Sequence, residues 1–373
     1  MKNTSPTLHK LSVSTAHFAL AASLMLIGIG GCKIEVTTEP AGHPAATTTT
    51  MTTSANPPAG SATATTGQST RVMSYNIQFF DQKSLQNGDR LAKLKAVVAD
   101  INPQVVAVQE VDDRAAMDLL FPADSWTVVI DDDSRDRQDL AFAVRKPLKV
   151  TNIPADLDAD DGQFLAPLPE EDSFFPNRRD ALFVKIAAPD GKPLFTAINI
   201  HAKARVGGRA KTAPRRIGAS KVLLEAFKTK LPGEQIVLMG DFNDSPDDTS
   251  LNILEEGNPD AAPGDNTWPG PYLVNLGQPL WIKGEITEGA NESRLDSKTG
   301  LLNNVFADAR ARNNDARERD VNTGPIMFDQ ILVSPGLYKP GQTQAEIYKK
   351  PLALKGPGYS RPSDHLPIFA DIP

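Results

Sequence analysis

The chain has 373 residues, which is long enough for a large hydrophobic core and one or two domains. Hydrophobic residues make up 40% of it and charged residues 23%, so its composition is that of an ordinary globular protein. The formal net charge of -7 argues against broad electrostatic capture of a nucleic acid. A polyanion site would therefore need a local basic patch or a bound metal ion.

Residues 1–31 have the pattern of an export signal. Lys2 and Lys10 give a positively charged start, and an almost wholly apolar run extends from Phe18 to Ile29. This run is shorter than the roughly 20 residues of a comfortable membrane span. The pattern therefore predicts a signal peptide.

Cys32 is the only cysteine of the chain and cannot form an internal disulfide. The run Ile29-Gly30-Gly31-Cys32 resembles the bacterial lipobox, in which the cysteine is lipidated and becomes the mature N-terminus. The residue after the cysteine is Lys33 rather than Asp, which resembles lipoproteins sent to the outer membrane. We expect a lipid-anchored protein of the cell envelope, at the outer membrane or cell surface, or a secreted one. The alternative is an ordinary signal or uncleaved anchor with an incidental cysteine.

Residues 32–70 are rich in Thr, Ala, Pro, Gly and Ser and have no hydrophobic period, so they cannot bury a core. We interpret them as a disordered tether between the anchor and one folded domain at 71–373. Three of the five histidines precede that domain, and the other two are His201 and His365.

Nine apolar or alternating runs of the domain predict strands. They lie at 72–77, 105–108, 126–130, 140–145, 181–186, 195–201, 236–239, 331–333 and 366–370. One helix is expected after a cap at Asn87 to Asp89, and another begins at Ala213 with Pro214 in its first turn. Many strands with few helices predict an α/β sandwich rather than a doubly wound sheet.

Two segments do not have the pattern of a strand or a helix. The acidic, proline-bearing segment 156–172 is expected to be a surface loop. The segment 252–325 is long, polar and rich in Gly and Pro, and we interpret it as an insertion. Loops of this length in a compact domain are usually functional or mobile.

Polar residues stand at the ends of several predicted strands. They are Asn76, Glu110, His201, Asp241, Asn243, Asp329, Asp364 and His365. Oxygen ligands from separate strands suit a hard cation such as Mg²⁺, and two imidazoles suit proton transfer or stabilisation of an oxyanion. A zinc protease is disfavoured because the set has no Cys and no close His pair. The chain also has no Gly-x-Ser-x-Gly elbow and no Walker-type phosphate loop.

Six motifs contain these residues and follow one another along the chain. They are Met73-Ser74-Tyr75-Asn76-Ile77, Val108-Gln109-Glu110-Val111, Ile198-Asn199-Ile200-His201, Met239-Gly240-Asp241-Phe242-Asn243, Phe328-Asp329-Gln330-Ile331-Leu332 and Ser363-Asp364-His365-Leu366-Pro367-Ile368. In order and rough spacing the set resembles the endonuclease/exonuclease/phosphatase superfamily. That superfamily includes pancreatic-type deoxyribonucleases, abasic-site endonucleases, bacterial sphingomyelinases and inositol polyphosphate phosphatases. The resemblance implies a four-layer αββα sandwich over about residues 71–373.

The resemblance also implies a metal site. Glu110 would be the principal metal carboxylate with Asn76 beside it, and Asp364 a second metal or support ligand. The expected ion is Mg²⁺, with Mn²⁺ or Ca²⁺ as alternatives. Gln78 departs from the abasic-site branch, which has an acidic residue at this place. This departure puts a second metal contact there, and an abasic-site role, in doubt.

Catalytic roles follow from the same resemblance. Asp241 and Asn243 would position the attacking water and a phosphate oxygen. His365, oriented by Asp329, would act at the phosphorus, where it would either stabilise the developing charge or remove a proton. His201 would donate a proton to the leaving oxygen, as in the deoxyribonuclease-like branch. Each residue alone also fits a structural role at a strand end, so the prediction depends on the whole set.

Basic residues after His201 are candidates for contact with substrate phosphate. Those we assign to this role are Arg205, Arg209, Arg215 and Arg216, and others that could add to the groove are Arg137, Arg178 and Arg179. The alternative is a solvated basic loop and helix start.

These expectations combine into one function. We expect a monomeric, Mg²⁺-dependent phosphodiesterase that acts on a nucleic acid, DNA first, and is held at a membrane by its N-terminal lipid. A phospholipid or sugar-phosphate phosphoesterase is the alternative within the superfamily. An inactive binding lipoprotein is the alternative from another class, although such a protein would not need Glu110, Asp241, Asn243 and His365 together.

Overall fold

In a computed structural model of the chain, the structure describes residues 69–86, 89–131, 138–151, 174–175, 181–264, 267–315, 324–356 and 361–373. The predictions for the signal at 1–31, for Cys32, for the loop at 156–172 and for Arg137, Arg178 and Arg179 lie outside these residues. So does the predicted tether, except for its last two residues. The first strand already begins at Thr70, one residue before the expected start of the domain.

The described residues form twelve strands and seven α-helices. The strands are β1 (Thr70–Phe80), β2 (Val105–Val111), β3 (Trp126–Asp131), β4 (Asp139–Arg145), β5 (Lys149–Val150), β6 (Ala181–Ala187), β7 (Pro193–His201), β8 (Ile236–Asp241), β9 (Val274–Asn275), β10 (Asp329–Val333), β11 (Ala345–Ile347) and β12 (Ile368–Ile372). The helices are α1 (Gln82–Leu85), α2 (Arg90–Ile101), α3 (Arg114–Leu120), α4 (Arg209–Thr229), α5 (Thr249–Glu256), α6 (Gln278–Ile282) and α7 (Ala309–Asn314). No helix among these residues is long and apolar enough to cross a membrane.

The strands form two mixed sheets. The first has the order β11-β12-β1-β2-β4-β3 and the second has the order β5-β6-β7-β8-β10-β9. One central pair in each sheet is parallel, β1 with β2 and β7 with β8, and the other neighbours are antiparallel. The central strands are near-continuous apolar runs because both faces of each sheet are covered.

The sheets pack face to face, with β1 and β2 against β7 and β8. One hydrophobic core holds buried residues of both sheets, such as Val108 and Met239, together with Leu94 of α2. A second core joins Leu238 of β8 to Leu223 of α4 and to residues of α5. Full burial of such a side chain stabilises the fold by about 1.5–3 kcal/mol. The predicted four-layer αββα sandwich is therefore confirmed.

The helix predicted from Ala213 begins one turn earlier, at Arg209. Its N-cap is Gly208 at a φ of 112°, a conformation that favours glycine. The backbone N–H and the hydroxyl of Thr212 both donate to the Gly208 carbonyl, at 3.1 and 2.9 Å, which closes the first turn before Pro214. Pro214 therefore lies inside the helix, and the prediction of its place in the first turn was wrong.

The segment 252–325 is not the long loop that its composition suggested. It starts inside α5, adds β9 to the edge of the second sheet and buries Trp281 completely. Glu288 forms isolated antiparallel bridges with Ile326 and with His365. The described part of this segment thus contributes to the core. Through Glu288 it also joins the chain before β10 to the chain before β12.

The second sheet brings site residues together by register. His201 lies opposite Asp241 in the parallel pair, and Asp329 lies opposite Asp241 in the antiparallel pair. Gly240 has a φ of 147°, and a Cβ at this position would be 2.0 Å from the Ile200 carbonyl oxygen. Only glycine lets β7 and β8 approach this closely at the site.

Candidate active site

The eight predicted site residues converge at one edge of the two sheets. Asn76 and Glu110 come from β1 and β2 of the first sheet. His201, Asp241 and Asp329 come from β7, β8 and β10 of the second sheet, Asn243 follows β8, and Asp364 and His365 precede β12. The site therefore straddles the interface between the sheets.

Asn76 links the two sheets at the centre of the site. It is 1% exposed, and its Nδ2 donates to Glu110 Oε1 and to Asp241 Oδ2, each at 3.1 Å. The other oxygen of Asp241 accepts from the backbone N–H of Asn243 at 2.8 Å. These bonds fix both carboxylates relative to each other.

His365 forms a pair with Asp329. Its Nδ1 is 2.8 Å from Asp329 Oδ2, and Asp329 is fully buried. Burial by itself lowers the pKa of His365, but the charge of Asp329, its hydrogen bond and the charge of Asp241 more than reverse this effect. The pKa of His365 is therefore raised well above its ordinary value, which favours an imidazolium at neutral pH.

Asp241 is flanked by both imidazoles. Its Oδ2 lies 3.6 Å from His201 Nε2 and 3.9 Å from His365 Nε2. Burial raises the pKa of this carboxyl above its ordinary value, against the opposing charge of His365. A proton can therefore be shared among a carboxylate and two imidazoles within one small volume.

Glu110 has the environment of a metal-binding carboxylate. Burial raises its pKa, and its Oε1 and Oε2 accept from Asn76 and from the backbone N–H of Phe79. Within the part of the chain that the structure describes, no lysine or arginine pairs with it, and its nearest imidazole nitrogen is that of His201 at 3.9 Å. A largely buried carboxylate that makes no ion pair with a lysine or arginine is stabilised by a bound cation. The residues present therefore fit a divalent metal ion.

Asp364 is close enough to raise the pKa of Glu110 electrostatically. Its Oδ2 already accepts from Gln78 Nε2 at 2.7 Å and lies 3.4 Å from Arg361 Nη2. Among the described residues, no three His, Cys, Asp or Glu side chains form a metal cluster. Mg²⁺ does not require such a cluster, since one or two carboxylates with water and substrate phosphate suffice. The role of Asp364 stays a prediction.

Backbone strain is concentrated at this site. Five non-glycine residues of the described chain have positive φ angles, and four of them are Gln78, Phe79, Glu110 and Asn243. Such conformations cost about 1–3 kcal/mol each and persist where surrounding contacts enforce them. Here they direct the N–H of Phe79 to Glu110 and the N–H of Asn243 to Asp241.

The prediction that Arg205, Arg209 and Arg216 contact substrate phosphate was wrong. Arg205 and Arg216 are 3% and 1% exposed and pair with carboxylates of the chain itself. Arg209 is mostly buried and pairs with Asp248. Their charge is neutralised internally, so it is not available to a polyanion. Arg215 is half-buried and donates to the Phe175 carbonyl at 3.0 Å, and its role stays a prediction.

Three residues of the site were missed in the sequence. The hydroxyl of buried Thr287 accepts from the backbone N–H groups of Phe328 and Asp329, at 3.1 and 3.2 Å. Glu288 is paired across an antiparallel bridge with His365, which places both side chains on the same face. Both residues come from the irregular segment 252–325, where no periodicity marks them.

Arg90 is the third missed residue. It is fully buried and donates to backbone carbonyls on both sides of the site, those of Ile77 and Gln78 in β1 and that of Pro362. Nothing in the sequence marks Arg90 as a buried residue. The register between β1 and β2 shifts after Asn76, and this irregularity gives no sequence pattern. Arg90 therefore holds the end of β1, just after Asn76, against the loop that leads to His365.

Comparison with known proteins agrees with this fold. The Endonuclease/Exonuclease/phosphatase family matches residues 73–365, a range that contains all eight site residues. The chain therefore belongs to this family. As the name says, its members are endonucleases, exonucleases and phosphatases, which hydrolyse phosphoric esters. No curated protein matches the chain.

Similar solved structures are distant in sequence. D. rerio TDP2 humanized by 14 mutations is 16% identical with a TM-score of 0.50, over 82% of this chain and 99% of that one. The catalytic domain of human Nocturnin is 15% identical with a TM-score of 0.48, over 82% and 93%. An endonuclease/exonuclease/phosphatase from Bacteroides vulgatus is 14% identical with a TM-score of 0.45, over 82% and 98%. At these identities, the likeness to TDP2 supports the fold.

Proposed function

We propose that the chain is a divalent-metal-dependent phosphodiesterase that hydrolyses a nucleic acid, with DNA as the principal substrate. The observation that carries the proposal is the pair of imidazoles on either side of Asp241, with Asn76 and Glu110 beside them. Hydrolysis of a diester needs a group that acts on the attacking water and a second group that acts on the leaving oxygen. This arrangement supplies one for each side.

On the attacking side, Asp241 and Asn243 orient the water. Burial keeps the pKa of Asp241 above its ordinary value, so this carboxylate is a stronger base than an exposed one. His365 carries a positive charge held by Asp329, and this charge stabilises the negative charge that develops on the phosphate oxygens. Thr287 fixes the backbone of Asp329, so the imidazole of His365 keeps its orientation.

On the opposite side, His201 gives its proton to the leaving oxygen. An alkoxide leaving group is a strong base, and its protonation removes most of the cost of its departure. His201 is held at the end of β7, opposite Asp241, by the register with β8.

Glu110 and Asn76 are the residues that would hold the metal ion, with Asp364 as a further oxygen ligand. When bound, the ion neutralises charge on the phosphate and lowers the pKa of a coordinated water. Asn76 keeps the carboxylates of Glu110 and Asp241 at a fixed separation. The strained backbone of Glu110 directs its side chain into the site.

DNA is proposed because His201 stands where the deoxyribonuclease-like branch has its leaving-group acid, and Gln78 departs from the abasic-site pattern. The burial of Arg205, Arg209 and Arg216 supports the second candidate, a phospholipid or sugar-phosphate diester, because a compact substrate needs no basic groove. We propose a monomeric enzyme. Its lipobox-like Cys32 would anchor it at the bacterial envelope, where it would act on extracellular phosphodiesters.

Substrate choice is testable with the full chain. It is incubated with plasmid DNA, RNA, sphingomyelin and 4-nitrophenyl phosphate, with Mg²⁺ or with EDTA. We expect cleavage of DNA that EDTA abolishes and Mg²⁺ restores. Turnover of sphingomyelin without DNA cleavage would replace the nuclease proposal by the second candidate, and absence of turnover of all four would leave the inactive binding protein.

Metal binding has a readout that needs no turnover. Because a ligand that binds the native state alone raises stability, Mg²⁺ or Mn²⁺ should raise the Tm of the wild type. Glu110→Gln keeps the shape of the side chain and removes its charge, so the metal-induced shift should disappear. Glu346→Gln, at the exposed middle position of β11, is the matched control and should keep the full shift. An unchanged shift in Glu110→Gln would place the metal elsewhere.

A further inference from the structure

We infer that Arg205 is a positioning residue that holds the two catalytic arms of the site in register. One arm is the turn that contains Asp241 and Asn243. The other arm consists of Phe328 and Asp329, together with His365, which is hydrogen-bonded to Asp329. The inference relies on the proposed function for the roles of Asn243 and His365. It replaces the prediction that Arg205 contacts substrate.

The guanidinium group of Arg205 is bonded on every side. Its Nε donates to the Asn243 carbonyl oxygen at 2.8 Å, and its Nη1 donates to Asn313 Oδ1 at 3.0 Å. Its Nη2 lies 2.8 Å from Asp248 Oδ2 and 3.1 Å from Asp244 Oδ1. Only a rigid planar fork with several donors reaches these four partners at once, so a lysine does not reproduce the set.

The contact with Asn243 acts on a strained turn. Asn243 has a φ of 51°, a conformation that an L-residue leaves unless contacts enforce it. Asp241 holds the N–H of Asn243 and Arg205 holds its carbonyl, so the peptide units on both sides are fixed. Without Arg205, one of these backbone restraints is lost, and the bond from Asn243 Nδ2 to the Ala202 carbonyl, at 3.2 Å, has to hold the side chain without it.

The contact with Phe328 acts on the other arm. The guanidinium carbon of Arg205 lies 5.0 Å from the centre of the Phe328 ring. This ring is in turn tilted by 32° against the imidazole of His365, with 6.5 Å between ring centres. Phe328 directly precedes Asp329, so a shift of Phe328 moves both members of the Asp329–His365 pair.

A buried ion pair alone does not explain this placement. Replacing buried charges by apolar groups is often neutral or stabilising, so such pairs are weak evidence for a role in stability. Arg216 offers the comparison within the same cluster. It is 1% exposed and its Nε lies 2.8 Å from Asp244 Oδ1, but its other contacts are Lys203, Thr212 and Arg209.

The test compares Arg205→Lys with Arg216→Lys in the full chain. Each variant keeps a positive charge in the same buried cluster and should lower the Tm to a similar degree. We expect Arg205→Lys to lower kcat on a 4-nitrophenyl diester about 100-fold with KM within about twofold, since small misplacement of catalytic groups has effects of this size. Arg216→Lys should keep kcat within about threefold at a temperature where it is folded. Equal losses of kcat in both variants would reduce Arg205 to a structural residue.

A second readout does not depend on turnover. In a spectrum of the histidine side-chain nitrogens, Arg205→Lys should shift the His365 resonance because the Phe328 ring moves, and Arg216→Lys should leave it in place. Phe328→Leu removes the ring but keeps Arg205 and its four hydrogen bonds, and it should reproduce both the shift and the loss of kcat. An unchanged His365 resonance in Arg205→Lys and a normal kcat in Phe328→Leu would overturn the inference, even if the enzyme acts on another substrate class.

Discussion

Asp329 holds one of its carboxylate oxygens against His365 and leaves the other without a hydrogen-bond partner among the described residues. A buried carboxylate that lacks part of its hydrogen bonds is costly unless a charge compensates it. The nearest compensation is the imidazolium of His365, so the two residues stabilise each other's charged forms. The site therefore carries a fixed positive charge at the place where the phosphate is expected.

Replacing Asp329 by Asn should separate this charge effect from shape. The pKa of His365 should fall, since the charge of Asp329 opposes the lowering effect of burial. We expect kcat to fall about 100-fold and the limb of the pH–rate profile that reports His365 to move to lower pH. Histidine side-chain spectra and a kcat profile measure both effects.

The same pair contributes to stability with a definite sign. Because the folded pKa of His365 is raised, this contribution is complete below the unfolded pKa of about 6.5 and is lost as pH rises through the folded value. Asp329→Asn should therefore flatten the loss of stability above neutral pH. Asp371→Asn removes an exposed carboxylate that pairs with Arg71 and serves as control. An unshifted His365 titration in Asp329→Asn would contradict the assignment.

The residues that converge at the candidate site could be predicted because each stands at one end of an apolar run inside a recognisable motif, as Glu110 and Asp241 do. The arginines could not. Arg205 and Arg216 follow His201 in the chain, but the carboxylates that neutralise them, Asp244 and Asp248, come between 28 and 43 residues later. A sequence shows the charge of a side chain, whereas burial and pairing depend on which helix packs over it.

At the scale of elements, the parallel pair β7 and β8 decides where the catalytic groups stand. The pair ends at His201 opposite Asp241, and β10 then adds Asp329 on the far side. Because both faces of these strands are buried, their sequences are nearly continuous apolar runs, which predict strands. The segment 252–325 was misread because Glu288 pairs through isolated bridges and Thr287 through separate backbone hydrogen bonds, which give no repeating pattern.

Gly240 is the element-level test of this arrangement. In Gly240→Ala the new Cβ would meet the Ile200 carbonyl at 2.0 Å, so β7 and β8 must separate. We expect a loss of stability of about 3 kcal/mol, and a lower kcat in the folded fraction because His201 and Asp241 move apart. Urea unfolding and kinetics measure the two effects.

Gly233→Ala is the matched control for Gly240→Ala. Gly233 also has a positive φ, 79°, but nothing lies within 4 Å of its Cβ position. It therefore carries the backbone strain without the clash and should lose about 1 kcal/mol with normal kcat. If both variants behave alike, the strain of the backbone rather than the approach of the strands governs Gly240.

At the scale of the whole molecule, a chain of net charge -7 carries a site that contains two fully buried carboxylates, Asp241 and Asp329. Such a protein has no general attraction for a polyanion, so in the proposed function the metal ion and the charge of His365 would bind the substrate. Confinement near a membrane would raise the local concentration of enzyme without a basic surface. The proposed lipid on Cys32 would provide this confinement.

Cys32→Ser tests the anchor in a bacterial host that processes lipoproteins. Cys32 is the only cysteine of the chain, so a thioether-linked lipid can be attached nowhere else. The wild type should incorporate labelled palmitate and partition into a detergent phase, because one or more acyl chains add apolar surface that water excludes. Cys32→Ser should lose the label, and Ser54→Ala in the predicted tether should keep it. A wild type without label, cleaved at another position and recovered in the aqueous phase, would show an ordinary export signal and leave a secreted enzyme.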